Sequence, residues 1–424
     1  MLNVFDELIA AQKQGEAKGM ASICSAHPWV LKTAMQTSEV SKTSEVLLVE
    51  ATCNQVNQYG GYTGMTPKDF VSYIRGIAAE NEFPFENIVL GGDHLGPNVW
   101  QNEPAESAMD KSKVLIRDYV QAGFVKIHLD CSMRLADDPP GALDPEVIAQ
   151  RAAQLAKVAE NALTPSPSPN RRGGYTPRYV IGTEVPIPGG ATEHEEGVRV
   201  TKVEDAHGTI EVHRKAFYEL GLQSAWGRVI AVVVQPGVEF GDDFVLPYQP
   251  ESAKELSHFI ESQSMVYEAH STDYQTRDAL RNLVRDHFAI LKVGPGLTFA
   301  FREAVFALAL IENELIAKTS LSNIIQVLDD VMVKHPEHWQ KYYRGDEAEQ
   351  AFKRKYSLSD RARYYWVQPE VQKAFERLMK NLGKKVLPYS LLSQFVGERE
   401  LNAEQVIEWK IDRVLGDYLV GCGE

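Results

Sequence analysis

Eight short apolar runs, separated by longer stretches of helical spacing, limit most strongly what this chain can fold into. They are Ala21–Ala26, Val46–Ala51, Asn87–Gly91, Val125–Leu129, Tyr179–Thr183, Arg228–Val234, Met265–Ala269 and Ala289–Val293. Most are continuously hydrophobic, which fits parallel strands covered on both faces. The intervening segments are long enough for crossover helices. In Pro104–Ala122, for example, Ala108, Leu115, Tyr119 and Ala122 recur at helical spacing and Gly123 supplies a stop. Eight such units in succession predict an α/β fold, a TIM (β/α)8 barrel, with an open doubly wound sheet as the competing arrangement.

Beyond Lys318 the strand signals fade. Residues 319–424 read as an α-helical C-terminal region, rich in Trp, Tyr and charge, so the expected organisation is a barrel over 1–318 followed by helices. The segment 164–177, TPSPSPNRRGGYTP, reads as an exposed insertion, because Pro, Ser and Gly suit a loop. A formal charge of −14 argues against nucleic acid or an anionic membrane as a partner. It leaves room for a phosphorylated substrate, which needs only a local positive site. The greasiest stretch, Ala304–Ile311, is eight residues long and far short of a membrane span. With no leader-like start and four scattered Cys lacking any CxxC pair, a cytoplasmic protein with reduced thiols is expected.

In a barrel, chemistry collects where the strands end. Those ends carry Ser25 and His27, Glu50 with Asn54 and Gln55, Asp93-His94, His128 and Asp130, Glu184, Gln235, Glu268 with His270, and Lys292. Charges closing apolar strands are costly to bury without partners, so a polar end on every strand points to function. In Gly91-Gly-Asp-His94 the glycines would let backbone approach a ligand. Asp93 and Glu184 are the candidate catalytic carboxylates, and His94, His270 and Glu184 the candidate ligands of a divalent metal, with zinc the expected ion. Such a metal would polarise a sugar carbonyl and stabilise an enolate. In the competing reading the two His are structural.

Lys292-Val-Gly-Pro-Gly-Leu-Thr298 joins the last strand to a strong helix. Lys292, Gly294 and Gly296 are the candidate phosphate contacts there, with Ser271, Thr272, Asn54 and Gln55 completing a substrate site. A plain tight turn is the alternative. No GxxxxGK[ST] motif occurs, and Gly60-Gly-Tyr-Thr-Gly64 is too short to replace it, so no nucleotide is expected. Arg361 and Arg363 read as packing beside Tyr364, Tyr365 and Trp366, with contact to a phosphorylated substrate as the alternative.

The motifs SAHPWVL, EATCNQVNQYGGYTGMTP, GGDHLGPNVWQNEPA, AGFVKIHLDCSM, IGTEVPIPGGA, VVVQPGVEF, YEAHSTDYQT and HFAILKVGPGLTFAFREA resemble the GatZ/KbaZ family. The resemblance runs from near Met20 to at least Trp366; segment 164–177 does not share it. It implies a barrel subunit of tagatose-1,6-bisphosphate aldolase in galactitol and N-acetylgalactosamine catabolism. Such a subunit supports the activity and stability of a separate zinc-dependent class II catalytic subunit. It also implies a phosphorylated ketohexose as ligand, leaving homo-oligomerisation open. A more distant similarity to the class II aldolases themselves matches Asp93 and His94 to a proton-transfer residue and zinc ligand, and His270 and Ser271 to a second ligand and phosphate donor. Where those enzymes have a further His, this sequence reads Val234-Gln235-Pro236. An autonomous metal-dependent ketohexose-phosphate aldolase or 4-epimerase is therefore the rival reading, and a sugar-phosphate-binding regulator the third.

Overall fold

The computed structural model describes residues 4–37, 46–163, 176–183 and 198–423. Eight parallel strands close into a barrel: β1 (Met20–Ile23), β2 (Leu47–Thr52), β3 (Ile88–Leu95), β4 (Lys126–Leu129), β5 (Arg178–Ile181), β6 (Val229–Val233), β7 (Val266–Ala269) and β8 (Phe288–Val293). Each strand pairs with its successor, and β8 closes on β1 from Met20↔Ile290 to Ile23↔Val293. Each apolar run overlaps one of these strands, and closure removes the open-sheet alternative. Burial on both faces is nearly complete, as the continuous hydrophobicity requires.

Crossover helices surround the barrel. Helix Ala105–Ala122 ends where expected, with Gly123 at φ 102 and its N–H on Tyr119 and Val120 carbonyls. Inside, Leu48, Val180, Ile230, Val233 and Ile290 form a cluster that Phe5 and Leu8 of the first helix, Val4–Lys13, join from the N-terminal end. That end is plugged, which leaves the C-terminal ends of the strands as the open face.

After helix Pro295–Leu315 come the helices Ile324–Lys334, Glu347–Tyr356, Pro369–Leu382, Tyr389–Phe395 and Ala403–Gly421. The last lies against Pro28–Gln36, Arg277–Arg285 and Pro295–Leu315. Its Tyr418 hydroxyl bonds the Thr272 hydroxyl, and Cys422 O accepts the Gly19 N–H. Among the described residues no helix is long and apolar enough to cross a membrane. Residues 164–175 of the expected insertion, and Glu184, lie outside the described residues.

Candidate active site

Strand alternation places residues two apart on one face, so Glu50, Lys126 with His128, Glu268 and Lys292 all turn toward the barrel axis. Lys126 Nζ lies 2.7 Å from both Glu50 Oε1 and Glu268 Oε2. Lys292 Nζ lies 2.6 Å from Glu50 Oε2, 2.9 Å from Asp93 Oδ1 and 3.7 Å from Glu268 Oε1. Two lysines and two glutamates thus form a closed ring of alternating charge, almost wholly buried. Gly91 is part of this construction: a Cβ there would sit 2.6 Å from Glu50 Cγ. The glycine pair of β3 makes room for Glu50, and for Leu95 and Tyr119 beside Gly92, not for a ligand.

Above the ring three imidazoles converge, with ring centres of His94, His128 and His270 4.9–5.3 Å apart. His94 Nδ1 lies 2.7 Å from Asp130 Oδ2, and His128 Nδ1 lies 2.8 Å from Asp93 Oδ1. His270 Nε2 lies 3.0 Å from Glu268 Oε1. Burial opposes charge on every one of these groups. It lowers His270 to about 4 despite Glu268. At His94, Asp93 and Asp130 outweigh burial and the pKa rises. Asp93, Asp130 and Glu268 are likewise buried, yet imidazole and lysine partners hold their carboxyls below the usual range. His94 and Ser271 stand at φ 48 and φ 54, so the backbone accepts left-handed strain to aim both into the site.

Donor atoms of Asp93, His128, Glu268 and His270 lie within 4.8 Å of one another, close enough to hold one cation. Two features fit a divalent ion. The His128 Nε2 atom is buried without a hydrogen-bond partner. Four buried carboxylates (Glu50, Asp93, Asp130, Glu268) face two lysines, and a protonated His94 offsets only one of the two extra negative charges. Two imidazoles and two carboxylates are a donor set for zinc or a similar borderline cation; His94, expected as a ligand, lies outside this set, with its Nδ1 on Asp130.

The cluster floors a cavity of about 460 Å³. Asn54, Gln55, Asp93, His94, His270, Ser271, Lys292 and Gly294 line it; Thr272 and Gly296 do not. The Thr272 hydroxyl is committed to Lys292 O and Tyr418. The phosphate contacts expected at the β8 turn need correction. Asp273 Oδ1 already accepts the amides of Gly294 and Gly296, at 3.0 and 2.7 Å, and Lys292 belongs to the ring. An internal carboxylate fills the anion position of this turn. Burial raises Asp273 to about 6, against those amides and Arg363.

A third imidazole comes from another strand. Gln235 caps its own turn, accepting from Gly237 and Val238 amides, while His128 on β4 supplies the third ring. His128 stands among the polar strand ends in the sequence; reading Lys126 on the same inward face would have found it too. Arg363, Tyr364 and Trp366 reach the cavity from the C-terminal region. Arg361 does not; its guanidinium stacks on Tyr342, 3.1 Å from the ring centre. Burial lowers His27 to about 3, leaving it a neutral ring against Phe301. Burial also raises the thiols of Cys24, Cys53 and Cys131, so none is a ready thiolate.

Residues 5–422 match the family described as D-tagatose-1,6-bisphosphate aldolase subunit GatZ/KbaZ-like. The chain belongs to this family. It is 53% identical over 425 residues, 98% of both chains, to the D-tagatose-1,6-bisphosphate aldolase subunit GatZ of Klebsiella pneumoniae. The protein of that name from Salmonella typhimurium is 51% identical over the same shares. Among solved structures, a probable tagatose 6 phosphate kinase from Sinorhizobium meliloti superimposes with a TM-score of 0.86 at 45% identity, covering 96% of this chain and 100% of that one. The fructuronate-tagaturonate epimerase UxaE of Cohnella laeviribosi, at 11% identity and TM-score 0.53 over 96% of this chain and 81% of its own, is similar in fold alone.

Proposed function

We propose that this chain is the GatZ/KbaZ-type subunit of a tagatose-1,6-bisphosphate aldolase. It works in the cytoplasm with a separate class II catalytic subunit, whose activity and stability it supports, in galactitol and N-acetylgalactosamine catabolism. The observation that carries this reading is 53% identity along 98% of both chains to a protein named as that subunit. The test is co-purification with the catalytic subunit, followed by cleavage assays and half-life measurements with and without this chain. The expected result is a complex with higher activity and a longer half-life. Unchanged activity and half-life on adding this chain would refute it.

The buried cluster favours a second reading, in which the chain itself performs metal-assisted retro-aldol or 4-epimerase chemistry on a ketohexose phosphate. A divalent cation held by Asp93, His128, Glu268 and His270 would supply Lewis-acid polarisation of the sugar carbonyl. Asp93 Oδ1 faces Lys292, His128 and the His94 amide, which keeps it ionised and makes it a weak base. Asp273, in the cavity wall and near 6, is the carboxyl better matched to proton transfer at neutral pH. Metal analysis of the purified chain, then incubation with fructose 6-phosphate or tagatose 6-phosphate, tests this reading. A metal-loaded chain with no interconversion and no cleavage would remove it.

A further inference from the structure

One guanidinium in the cavity wall makes no ion pair among the described residues. Two permanently cationic side chains, Lys292 and Arg363, line the cavity. Lys292 is neutralised by Glu50, Asp93 and Glu268. Arg363 makes only neutral hydrogen bonds. Its Nη1 donates to the carbonyls of Ser359 and Asp360, and its Nη2 to the Tyr364 hydroxyl at 3.0 Å. Among the described residues no carboxylate lies within ion-pairing distance of it; Asp360, its neighbour, pairs through Oδ1 with Arg302 at 2.9 Å. A half-buried guanidinium that makes no ion pair and faces a cavity is the chemical complement of an anion.

Its surroundings extend that complementarity. The Tyr364 hydroxyl accepts from Arg363, so its own proton remains free to donate. Tyr62 packs edge-on against Tyr364, with ring centres 4.7 Å apart, and also lines the cavity. Tyr62 is brought there by the Gly60–Gly64 turn, in which Gly61 stands at φ 55 and a Cβ would lie 2.4 Å from Gln55 O. The turn after β2 and the 3-10 turn Arg361–Tyr364 therefore meet at one spot. The other anion position, at Gly294 and Gly296, is closed by Asp273.

We infer that Arg363, with the hydroxyls of Tyr62 and Tyr364, forms the anion subsite that receives the phosphate of a sugar phosphate bound in this cavity. The choice of sugar rests on the tagatose-bisphosphate aldolase reading; the subsite itself rests on the unpaired guanidinium. The phosphate end of the ligand sits on a C-terminal turn, and its sugar extends toward the imidazoles on the barrel.

Calorimetric titration of the full chain with D-tagatose 6-phosphate, inorganic phosphate and unphosphorylated D-tagatose tests this inference. The wild-type chain is expected to prefer the phosphorylated sugar. Arg363→Gln should weaken tagatose 6-phosphate binding by about 30-fold, the worth of a charge-assisted contact, and leave tagatose binding unchanged. Arg363→Lys should recover part of the loss, keeping the charge but not the fork. Equal phosphosugar affinity in Arg363→Gln, or a wild-type chain that binds none of the three probes, would overturn the subsite. Should Arg363→Gln not fold, phenylglyoxal labelling of the wild-type chain decides: tagatose 6-phosphate must protect Arg363, and equal labelling with and without it refutes the assignment. The aldolase-subunit reading is judged separately, by complex formation with the catalytic subunit.

Discussion

Asp273 is a buried carboxyl whose environment disfavours its charge, and its replacement by Asn isolates that cost. Burial lifts its pKa from 3.8 to about 6, with the amides of Gly294 and Gly296 and the charge of Arg363 working the other way. The sign follows from comparing the two states. Below pH 3.8 both native and unfolded chains carry the proton, so the group has no net effect. As pH rises from 3.8 toward 6 the unfolded chain ionises first, and native stability is lost; above about 6 the full penalty is in place. A span of about two pH units at about 1.4 kcal/mol each gives about 3 kcal/mol. Asp273→Asn keeps an oxygen for both amides and removes the ionisation. The variant is therefore expected to equal the wild type near pH 4 and to exceed it by about 3 kcal/mol at pH 7.5. Urea unfolding followed by circular dichroism at several pH values between 4 and 8 measures the difference. Taking variant minus wild type cancels the other buried carboxyls, which titrate alike in both proteins. A difference that does not change with pH would refute the reasoning, because it would mean that Asp273 ionises as freely in the native state as in the unfolded chain.

The remaining expectations concern the ring, the imidazoles and the C-terminal helices. His128→Ala removes a donor of the Asp93, His128, Glu268 and His270 set and should weaken metal binding by more than the about 10- to 100-fold typical of losing an outer-shell partner, read by chelator competition; unchanged affinity would exclude the site. Glu268→Ala leaves Lys126 and Lys292 short of a buried partner and should cost about 3–5 kcal/mol in denaturant unfolding. Gly91→Ala drives a methyl into Glu50 and should destabilise by about 1–3 kcal/mol, an overpacking cost that a variant with wild-type stability would contradict. A chain ending at residue 318 loses Ile407, Ile411, Leu415 and Leu419, which are buried within the shared core, and is expected to be insoluble; a soluble, cooperatively folding truncation would show the barrel to be independent.

The barrel was legible because its signal is local. Eight runs buried on both faces are mostly hydrophobic, and each overlaps a strand. The length of β3 was not legible. The glycines that end its apolar run look like a stop, yet the strand continues to Leu95 because Gly91 and Gly92 are sites of close packing. At the site, Asp93, His94 and His270 stood out because they close strands. Lys126 did not, since a lysine inside an apolar run gains meaning only when Glu50 and Glu268 arrive from strands far along the chain. Asp273 and Arg363 illustrate the same limit. One looks like an ordinary loop acid and the other like surface charge, until the fold sets the first on two amides and leaves the second without a carboxylate.

The ring of charge is itself an argument about function. Replacing a buried ion-pair network with well-packed hydrophobic residues is often neutral or stabilising, so stability gives little reason for two lysines, four carboxylates and three imidazoles in one barrel. Their arrangement is also uneven in charge. The floor of the cavity is short of positive charge, which suits a cation, and at the wall the Arg363 guanidinium makes no ion pair, which suits an anion. A scaffold needs neither imbalance. A ligand with an electron-rich oxygen at one end and a phosphate at the other would answer both, through a cation on the floor and the guanidinium on the wall. In such a cavity the C-terminal turn fixes which end of the ligand faces the imidazoles, and that orientation is what chemistry at a sugar carbonyl requires.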